Sequence, residues 1–542
     1  MQPTDTIYVY CPANTVCEPA SATVAGSRDR PVVTLNRAVI LAELAGADTI
    51  AVAGRGADQA YDETLELTRG IRILGGYSPD FSERDPLRFP TLIRSEQSRT
   101  LTVFATVGMQ IEGLTIEGRG ERVEQVVSLG SANDTTLRDV TVRVTQSDPA
   151  PETVIDRVTA VSIEDSSVSF EGVTIDVESA TFPDNSPIYL GVLSERSALA
   201  VADSTVTVRG TGRAQGILSI QSGALDIQRS EVSLSLELDP SAYDRLTVGV
   251  SCNDVDCIIA DSAILGGARA LRVSGAPVAS IERNVIGTLG CETLDTFPFF
   301  SSRVCYGVFN SDNRCEGALR VVNNVIFAEG EYAVAFETSA SEPQTVAHNT
   351  FFARGNTLSA ASMFRRSSND IRGDFSNNVF YAATAPTAGC LLYQPSPESR
   401  DGPTALRNNL FACDLAMLLV EGGSTEDATT DTAIEAVELF ARDGTSIDGS
   451  SCGETMSEQT RRFGGNLSIE PPSPETVFVD RMAGDWRLSA EIAELVDDAG
   501  IDTVTNASCG SDEIPRDCGA VRDTFDGQTR TEPASIGPHE FD

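Results

Sequence analysis

The chain has 542 residues, of which 41% are hydrophobic and 22% charged, a composition typical of globular proteins. It carries 40 Lys+Arg, all of them arginine, against 79 Asp+Glu, for a formal net charge of −39. Such a surface repels phosphate backbones and anionic lipids, which argues against nucleic-acid and membrane-surface partners. No stretch of sequence is apolar for long enough to predict a membrane-spanning helix.

A short helix is predicted near the start of the chain. From Leu35 onwards the sequence LNRAVILAELA has apolar residues at positions i, i+3, i+4 and i+7. Thr34 is suited to the N-cap, and Gly46 is suited to end the helix. Because a solenoid has unpaired strand edges at its ends, we assign residues 1–48 to an N-terminal cap.

A strand-like element recurs through most of the chain at irregular intervals of about 30 residues. Its segments alternate with period two and are rich in Val, Ile and Thr, which is typical of strands rather than of helical repeats. Its aliphatic position falls at Leu114, Val140, Val173, Val206, Val232, Ile264, Val285, Val325, Thr350, Val379 and Leu410.

Three short strands in each interval predict an all-β fold, a single right-handed parallel β-helix of about 11–12 rungs. We assign residues 49–412 to this β-helix, with strands starting near Thr49, Thr64 and Ile71. Residues 413–470 are assigned to a long insertion with a short helix at Asp431–Arg442 and the last rung. Residues 471–542 are assigned to a C-terminal cap that wraps the rod, with a second helix at Ser489–Val496.

Asparagine recurs at one position of successive copies. Asn tolerates tight left-handed bends, and stacked Asn side chains satisfy one another's amide groups. We therefore interpret these residues as a structural ladder rather than as a ligand row. The ladder comprises Asn284, Asn324, Asn349, Asn378 and Asn409.

Twelve cysteines and only two histidines favour disulfides over zinc sites. We expect four local pairs, Cys11–Cys17, Cys252–Cys257, Cys390–Cys413 and Cys509–Cys518, and we favour Cys291–Cys305 as a fifth. Disulfides indicate an oxidising compartment. The expectation is an extracellular or outer-surface protein whose export signal has been removed.

The longest insertion within the repeats, CETLDTFPFFSSRVCYGVFNSDNRC, runs from Cys291 to Cys315. Long loops on rigid scaffolds are where binding concentrates. The insertion carries Phe297, Phe299 and Phe300, which we interpret as a binding site. The alternative is that these rings fold back on the rod and anchor the loop.

The chain resembles exported bacterial β-helix proteins of the pectate-lyase-like superfamily, a group without an assigned reaction. The resemblance rests on the opening TIYVYCPANTVC and GADTIAVAGRG, and on the closing GDWRLSAEIAELVDDAG and EPASIGPHE. It covers nearly the whole chain and implies fold and export, but no activity.

No motif specifies a reaction. Polysaccharide lyases on this fold commonly use Lys or Arg as the base, often with Ca²⁺. The absence of Lys leaves Arg372, with Asp374, as the catalytic candidates, and an exposed, mutually paired charge cluster is the competing interpretation. His348 is expected at a surface turn. We expect no cofactor and no metal, with Ca²⁺ as the alternative if oxygens from neighbouring rungs converge.

Two functions remain open from the sequence. The first is a non-catalytic structural, adhesive or glycan-binding scaffold, with glycans, cell-surface proteins or further copies of the chain as partners. The second is a carbohydrate-active lyase or hydrolase.

Overall fold

The computed structural model describes residues 5–15, 26–56, 58–145, 157–178, 188–210, 214–236, 247–291, 304–310, 318–338, 344–365, 373–376, 378–383, 388–394, 405–407, 409–413, 415–420, 428–431, 462–464, 467–469, 478–480 and 485–488. The chain divides into two compact units, Met1–Val255 and Asp256–Asp542, hereafter the first and second unit. Within the described residues, no helix is long and apolar enough to cross a membrane.

The first unit begins with a short strand and one helix, α1 (Leu35–Ala45). Its strands are β1 (Thr6–Val9), β2 (Thr49–Ala53), β3 (Ala60–Asp62), β4 (Leu65–Leu67), β5 (Arg72–Tyr77), β6 (Leu92–Ser95), β7 (Arg99–Phe104), β8 (Gln110–Glu112), β9 (Thr115–Arg119), β10 (Gln125–Gly130), β11 (Thr135–Arg138), β12 (Thr141–Thr145), β13 (Arg157–Glu164), β14 (Ser167–Glu171), β15 (Thr174–Glu178), β16 (Ile188–Ala202), β17 (Thr205–Gly210), β18 (Ala214–Gln228), β19 (Glu231–Leu236) and β20 (Val248–Asn253).

The described elements of the second unit are all strands. They are β21 (Asp256–Ala260), β22 (Ala263–Leu265), β23 (Arg269–Ser274), β24 (Val278–Glu282), β25 (Val285–Cys291), β26 (Val304–Asn310), β27 (Ala318–Val322), β28 (Val325–Thr338), β29 (Gln344–Ala347), β30 (Thr350–Arg365), β31 (Gly373–Ser376), β32 (Val379–Ala383), β33 (Ala388–Gln394), β34 (Ala405–Arg407), β35 (Leu410–Cys413), β36 (Leu415–Val420), β37 (Ala428–Asp431), β38 (Arg462–Gly464), β39 (Leu467–Ile469), β40 (Phe478–Asp480) and β41 (Asp485–Leu488).

Each unit is a right-handed parallel β-helix in which equivalent strands of successive rungs pair in parallel. In the first unit, for example, β9, β12, β15, β17 and β19 form one continuous ladder. In the second unit, β25, β28, β30, β32 and β35 do the same. The predicted fold class is therefore confirmed. Two described pairs are antiparallel, β36 with β37 and β40 with β41.

The predicted N-terminal helix is present. The side chain of Thr34 accepts a hydrogen bond from the Arg37 amide, and Gly46 ends the helix in the left-handed conformation at φ 69°. The buried face carries Leu35 and three further apolar residues of the predicted stripe. Strand β1 pairs in parallel with β2, so the strand ladder already begins within residues 1–48. Of the helix predicted at Asp431–Arg442, only Asp431 is described, and it ends strand β37. The helix predicted at Ser489–Val496 lies outside the described residues.

Two of the proposed repeat alignments are wrong. Val206 is level with Ile175, not with Val173. Ile264 is level with Ile286, not with Val285. The first error is a shift of two residues, which leaves the same side chains facing inward, so period-two alternation does not detect it. The second error is a shift of one residue. It falls in a run of apolar residues, where inward and outward side chains are both apolar and the alternation does not mark the register.

A turn in the left-handed conformation precedes this strand stack. Its residues have φ between 47° and 67° at Gly113, Asp139, Gly172, Asp203, Arg229, Asp261, Arg283, Asn323 and His348. Non-glycine residues are strained there. Ion pairs between adjacent rungs accompany the strain: Arg229 Nε and Nη2 each lie 2.8 Å from an oxygen of Asp203.

The next residue points inward and carries a hydrogen-bond ladder. In the first unit, Ser204 accepts from the Val173 amide, and Ser230 accepts from the Ser204 amide. In the second unit, the Oδ1 atom of each asparagine from Asn324 onwards accepts from the backbone amide and from the Nδ2 group of the asparagine one rung earlier, at 2.9–3.1 Å. All five asparagines are completely buried.

The core differs between the two units. Inward positions of the first unit are mainly Val, Ile and Leu. In the second unit, the rings of Phe351, Phe380 and Phe411 stack at 5.0 and 5.1 Å between successive rungs. Phe352 and Tyr381 stack at 5.1 Å one residue further along. Both faces of these strands are therefore buried.

We expect Asn349→Ala to lower the free energy of unfolding by about 3 kcal/mol or more, because buried groups on Asn324 and Asn378 lose their partner. Urea unfolding followed by circular dichroism measures the change. The exposed Asn133 supplies the control, since Asn133→Ala is expected to change stability by no more than about 0.5 kcal/mol. Equal effects of the two substitutions would contradict the ladder's role.

Cys390 and Cys413 form a disulfide with Cα atoms 5.7 Å apart and a sequence separation of 23. Cys11, Cys252, Cys257 and Cys305 are also disulfide-bonded. We expect Cys390→Ala to cost about 3 kcal/mol, because a cross-link of this span constrains the unfolded chain. Non-reducing peptide mapping tests the pairing, and recovery of free thiols at both positions would refute it.

The inter-rung ion pairs predict a loss of stability in acid. Arg229 and Arg196 hold the pKa values of Asp203 and Asp165 below 3.8 through hydrogen bonds to their carboxylates. A depressed pKa contributes stability above the unfolded-state value, and that contribution is lost as pH falls through the lower, folded-state value. Unfolding free energy should therefore fall as pH drops below about 4. Asp203→Asn should flatten that dependence, whereas an unchanged slope would contradict the assignment.

Candidate functional site

Sequence reasoning placed binding in the insertion from Cys291 to Cys315, and the structure divides that segment. Phe297, Phe299 and Phe300 lie outside the described residues. Val304–Asn310, however, is not part of a loop. It is strand β26, paired in parallel with β23 on one side and β28 on the other. The period-two alternation of VCYGVFN is typical of a strand. The cysteines on either side favoured the interpretation of the whole segment as a loop.

The outward side of β23, β26 and β28 carries an unusual group of side chains. Arg272 is level with Phe309, which is level with Glu337 on the following rung. Arg269 is level with Tyr306. We call Arg269, Arg272, Tyr306, Phe309 and Glu337 the arginine–aromatic strip. None of these residues was singled out from sequence, although Tyr306 and Phe309 lie within the Cys291–Cys315 segment that was proposed to bind a partner.

The strip becomes less exposed from one rung to the next. Arg272 and Phe309 are half-buried, whereas Glu337 is only 2% exposed. The equivalent row of the first unit, from β10 to β20, carries no charged or aromatic side chain and consists of Ser128, Ser162, Leu193, Leu218 and Ser251. Rungs are about 4.8 Å apart, so Arg272 and Glu337 lie roughly 10 Å apart along the strip.

The aromatic rings of the strip are held by one of its arginines. The guanidinium carbon of Arg269 lies 4.3 Å from the centre of the Phe309 ring and 5.5 Å from that of Tyr306. The two rings are 5.1 Å apart and tilted by 58°. Cation–π contacts of this kind fix the rings in one arrangement, which lowers the cost of ordering them when a ligand binds.

Arg272 has a different environment from the ten described arginines that form ion pairs. Its Nε atom is buried without a hydrogen-bond partner, and no ion pair joins it to a residue within the described ranges. Desolvation lowers the pKa of its guanidinium, with no carboxylate acting in the opposite direction. Arginine nevertheless stays protonated. Ion pairs are formed by Arg69, Arg84, Arg88, Arg94, Arg138, Arg196, Arg209, Arg229, Arg283 and Arg320.

The catalytic candidates from sequence are not brought together by described contacts. Arg372 lies outside the described residues. Asp374 belongs to β31, level with Thr345 of β29 and Ala405 of β34. Arg320 lies one rung further, level with Thr345, and its guanidinium bonds Glu282 at 2.8 Å. The pair therefore stays a prediction.

His348 corrects one expectation. It does occupy a turn, with φ 57°, but it is 2% exposed rather than on the surface. Its backbone amide donates to Ser376 O at 3.1 Å. Within the described part of the chain, no three His, Cys, Asp or Glu side chains are grouped closely enough to hold a metal ion.

Comparison with known proteins yields distant structural similarity. No family model and no curated protein sequence matches the chain. Pectate lyase Pel9A is similar with a TM-score of 0.34 at 10% identity, covering 99% of this chain and 97% of that one. A tailspike protein variant of E. coli bacteriophage HK620 in complex with a pentasaccharide has a TM-score of 0.26 at 11% identity, covering 72% and 70%.

The first of these is a pectate lyase, the kind of protein that the sequence resemblance names. At these TM-scores the likeness carries no argument about activity, and the parallel strand ladders establish the fold independently. Function must therefore be argued from the side chains of this chain.

Proposed function

We propose that this protein is an exported, non-catalytic glycan-binding β-helix and that the arginine–aromatic strip binds the saccharide. The observation that carries the proposal is the combination of half-buried Phe309, held by Arg269, with Arg272 on the adjacent rung, whose guanidinium has no ion-pair partner among the described residues. Binding sites typically combine an aromatic surface with a few placed polar groups.

The chemistry of the strip suits a sugar. One face of a pyranose ring is apolar and packs on an aromatic side chain, while its hydroxyl groups accept hydrogen bonds from guanidinium N–H groups. The flat sheet extends this surface over successive rungs about 4.8 Å apart. An extended chain of sugars therefore fits the strip better than a compact small molecule does.

The export part of the proposal is supported by the disulfides. Cys390–Cys413 and the other bonded cysteines are typical of oxidising compartments. An extracellular or outer-surface protein would meet polysaccharides there. Adhesion to cell-surface partners through the same strip is compatible with this location.

Binding should depend on Phe309. We expect Phe309→Ala to weaken saccharide binding by about tenfold or more, because truncating a central aromatic anchor has effects of this size. A glycan array identifies ligands, and calorimetry measures their affinity. Phe104→Ala is the matched control, since Phe104 is 56% exposed on an outward position of the first unit and lies outside the strip.

The same samples distinguish binding from catalysis. Each bound saccharide is incubated with the protein, with and without Ca²⁺, and the products are separated by chromatography. We expect intact saccharide. Reproducible cleavage that is lost in Arg372→Ala or Asp374→Ala would instead support a lyase or hydrolase. Equal affinity of Phe309→Ala and wild type would refute the strip as the binding site.

A further inference from the structure

Contacts within the strip do not explain why part of the Arg272 guanidinium is buried. The long side chain of an arginine often covers apolar surface while its charged end stays in water. Here the Nε atom itself is buried and has no hydrogen-bond partner. Burying part of a cation without a counter-ion opposes folding, so packing of the aliphatic stem against Phe309 does not account for this arrangement.

The charge balance of the chain makes the arrangement more unusual. The chain has 79 acidic residues, and ten described arginines form ion pairs with carboxylates, as Arg283 does with Asp261 at 2.7 Å. A single Asp or Glu at a neighbouring position would have provided a carboxylate partner for Arg272. The position is instead flanked on the next rung by Phe309.

We infer that Arg272 receives a single anionic group, a carboxylate or sulfate ester, carried by a saccharide whose sugar ring lies on Phe309. A planar guanidinium binds both groups through two parallel hydrogen bonds. The inference rests on the proposed glycan binding and specifies the chemical class of the ligand.

The strip accepts one anionic group rather than a row of them. A pyranose unit is roughly as long as the rung spacing of about 4.8 Å, so a charge on every sugar would bring further anions towards Glu337. The net charge of −39 adds long-range repulsion. The ligand class is therefore a saccharide in which charged units are separated by neutral ones.

Calorimetry with three ligands of equal length tests this inference: a neutral oligosaccharide, the same oligosaccharide with one carboxylate or one sulfate ester, and a uniformly charged polyuronate fragment. We expect the singly charged forms to bind wild type at least about tenfold more tightly than the other two. Arg272→Gln should abolish this preference, so that the variant binds the singly charged and the neutral ligand with affinities within about twofold of each other. Arg320→Gln is the matched control, because Arg320 already pairs with Glu282.

A second measurement does not require a saccharide. Sulfate and chloride are compared at equal ionic strength by thermal unfolding. Sulfate stabilises proteins generally, so the quantity of interest is the difference between variants. We expect sulfate to raise the melting temperature of wild type and of Arg320→Gln more than that of Arg272→Gln.

The two measurements separate failure of the inference from failure of the proposed function. If saccharide binding depends on Phe309 but not on ligand charge, the anion site is refuted and the proposed glycan binding is supported. No saccharide binding, together with a sulfate effect that requires Arg272, would keep the anion site and overturn the glycan proposal. An equal sulfate effect in all three proteins, with no preference for charged ligands, overturns the inference.

Discussion

The structure depends on satisfying backbone amides at the inward turns of successive rungs, from the Val173 amide onwards. These amides lie in a dry interior, where an unpaired N–H group is costly. Ser204 and Ser230 supply an acceptor through their hydroxyl groups, and each hydroxyl donates back to a carbonyl of its own rung. An asparagine side chain forms more of these hydrogen bonds than a serine does, because its oxygen accepts from one rung and its Nδ2 group donates to neighbouring rungs. The second unit uses asparagine at this position, and its core is correspondingly richer in stacked phenylalanine.

The same turn explains the charges on the outer surface. The residue before the ladder adopts a left-handed conformation, which glycine adopts without strain. Asp203, Arg229, Asp261 and Arg283 occupy it instead, and adjacent rungs pair them as aspartate with arginine. At these turns, Arg229 and Arg283 thus link adjacent rungs. Arg272 differs from them because no ion pair joins it to a described residue and its Nε atom is buried.

The parallel sheet constrains the geometry of the proposed binding site. Side chains on a sheet face are spaced by the rung repeat. In the proposed function, recognition comes from the neighbours Arg272 and Phe309 on adjacent rungs. Arg269 preorganises the aromatic rings of Phe309 and Tyr306 through its contacts with both. A row of this kind suits an extended ligand.

The sequence by itself determined the β-helix, the capping helix from Thr34 to Gly46, the asparagine ladder positions and the Cys390–Cys413 pairing. These features depend on local periodicity, turn chemistry and spacing, all of which are present in short stretches of the sequence. Only the tertiary structure decided the register between rungs, since a shift of two residues preserves the inward pattern. It also decided that Val304–Asn310 is a strand. The arginine–aromatic strip was invisible in sequence because its members are brought together by stacking, which is set by loop lengths rather than by any local motif.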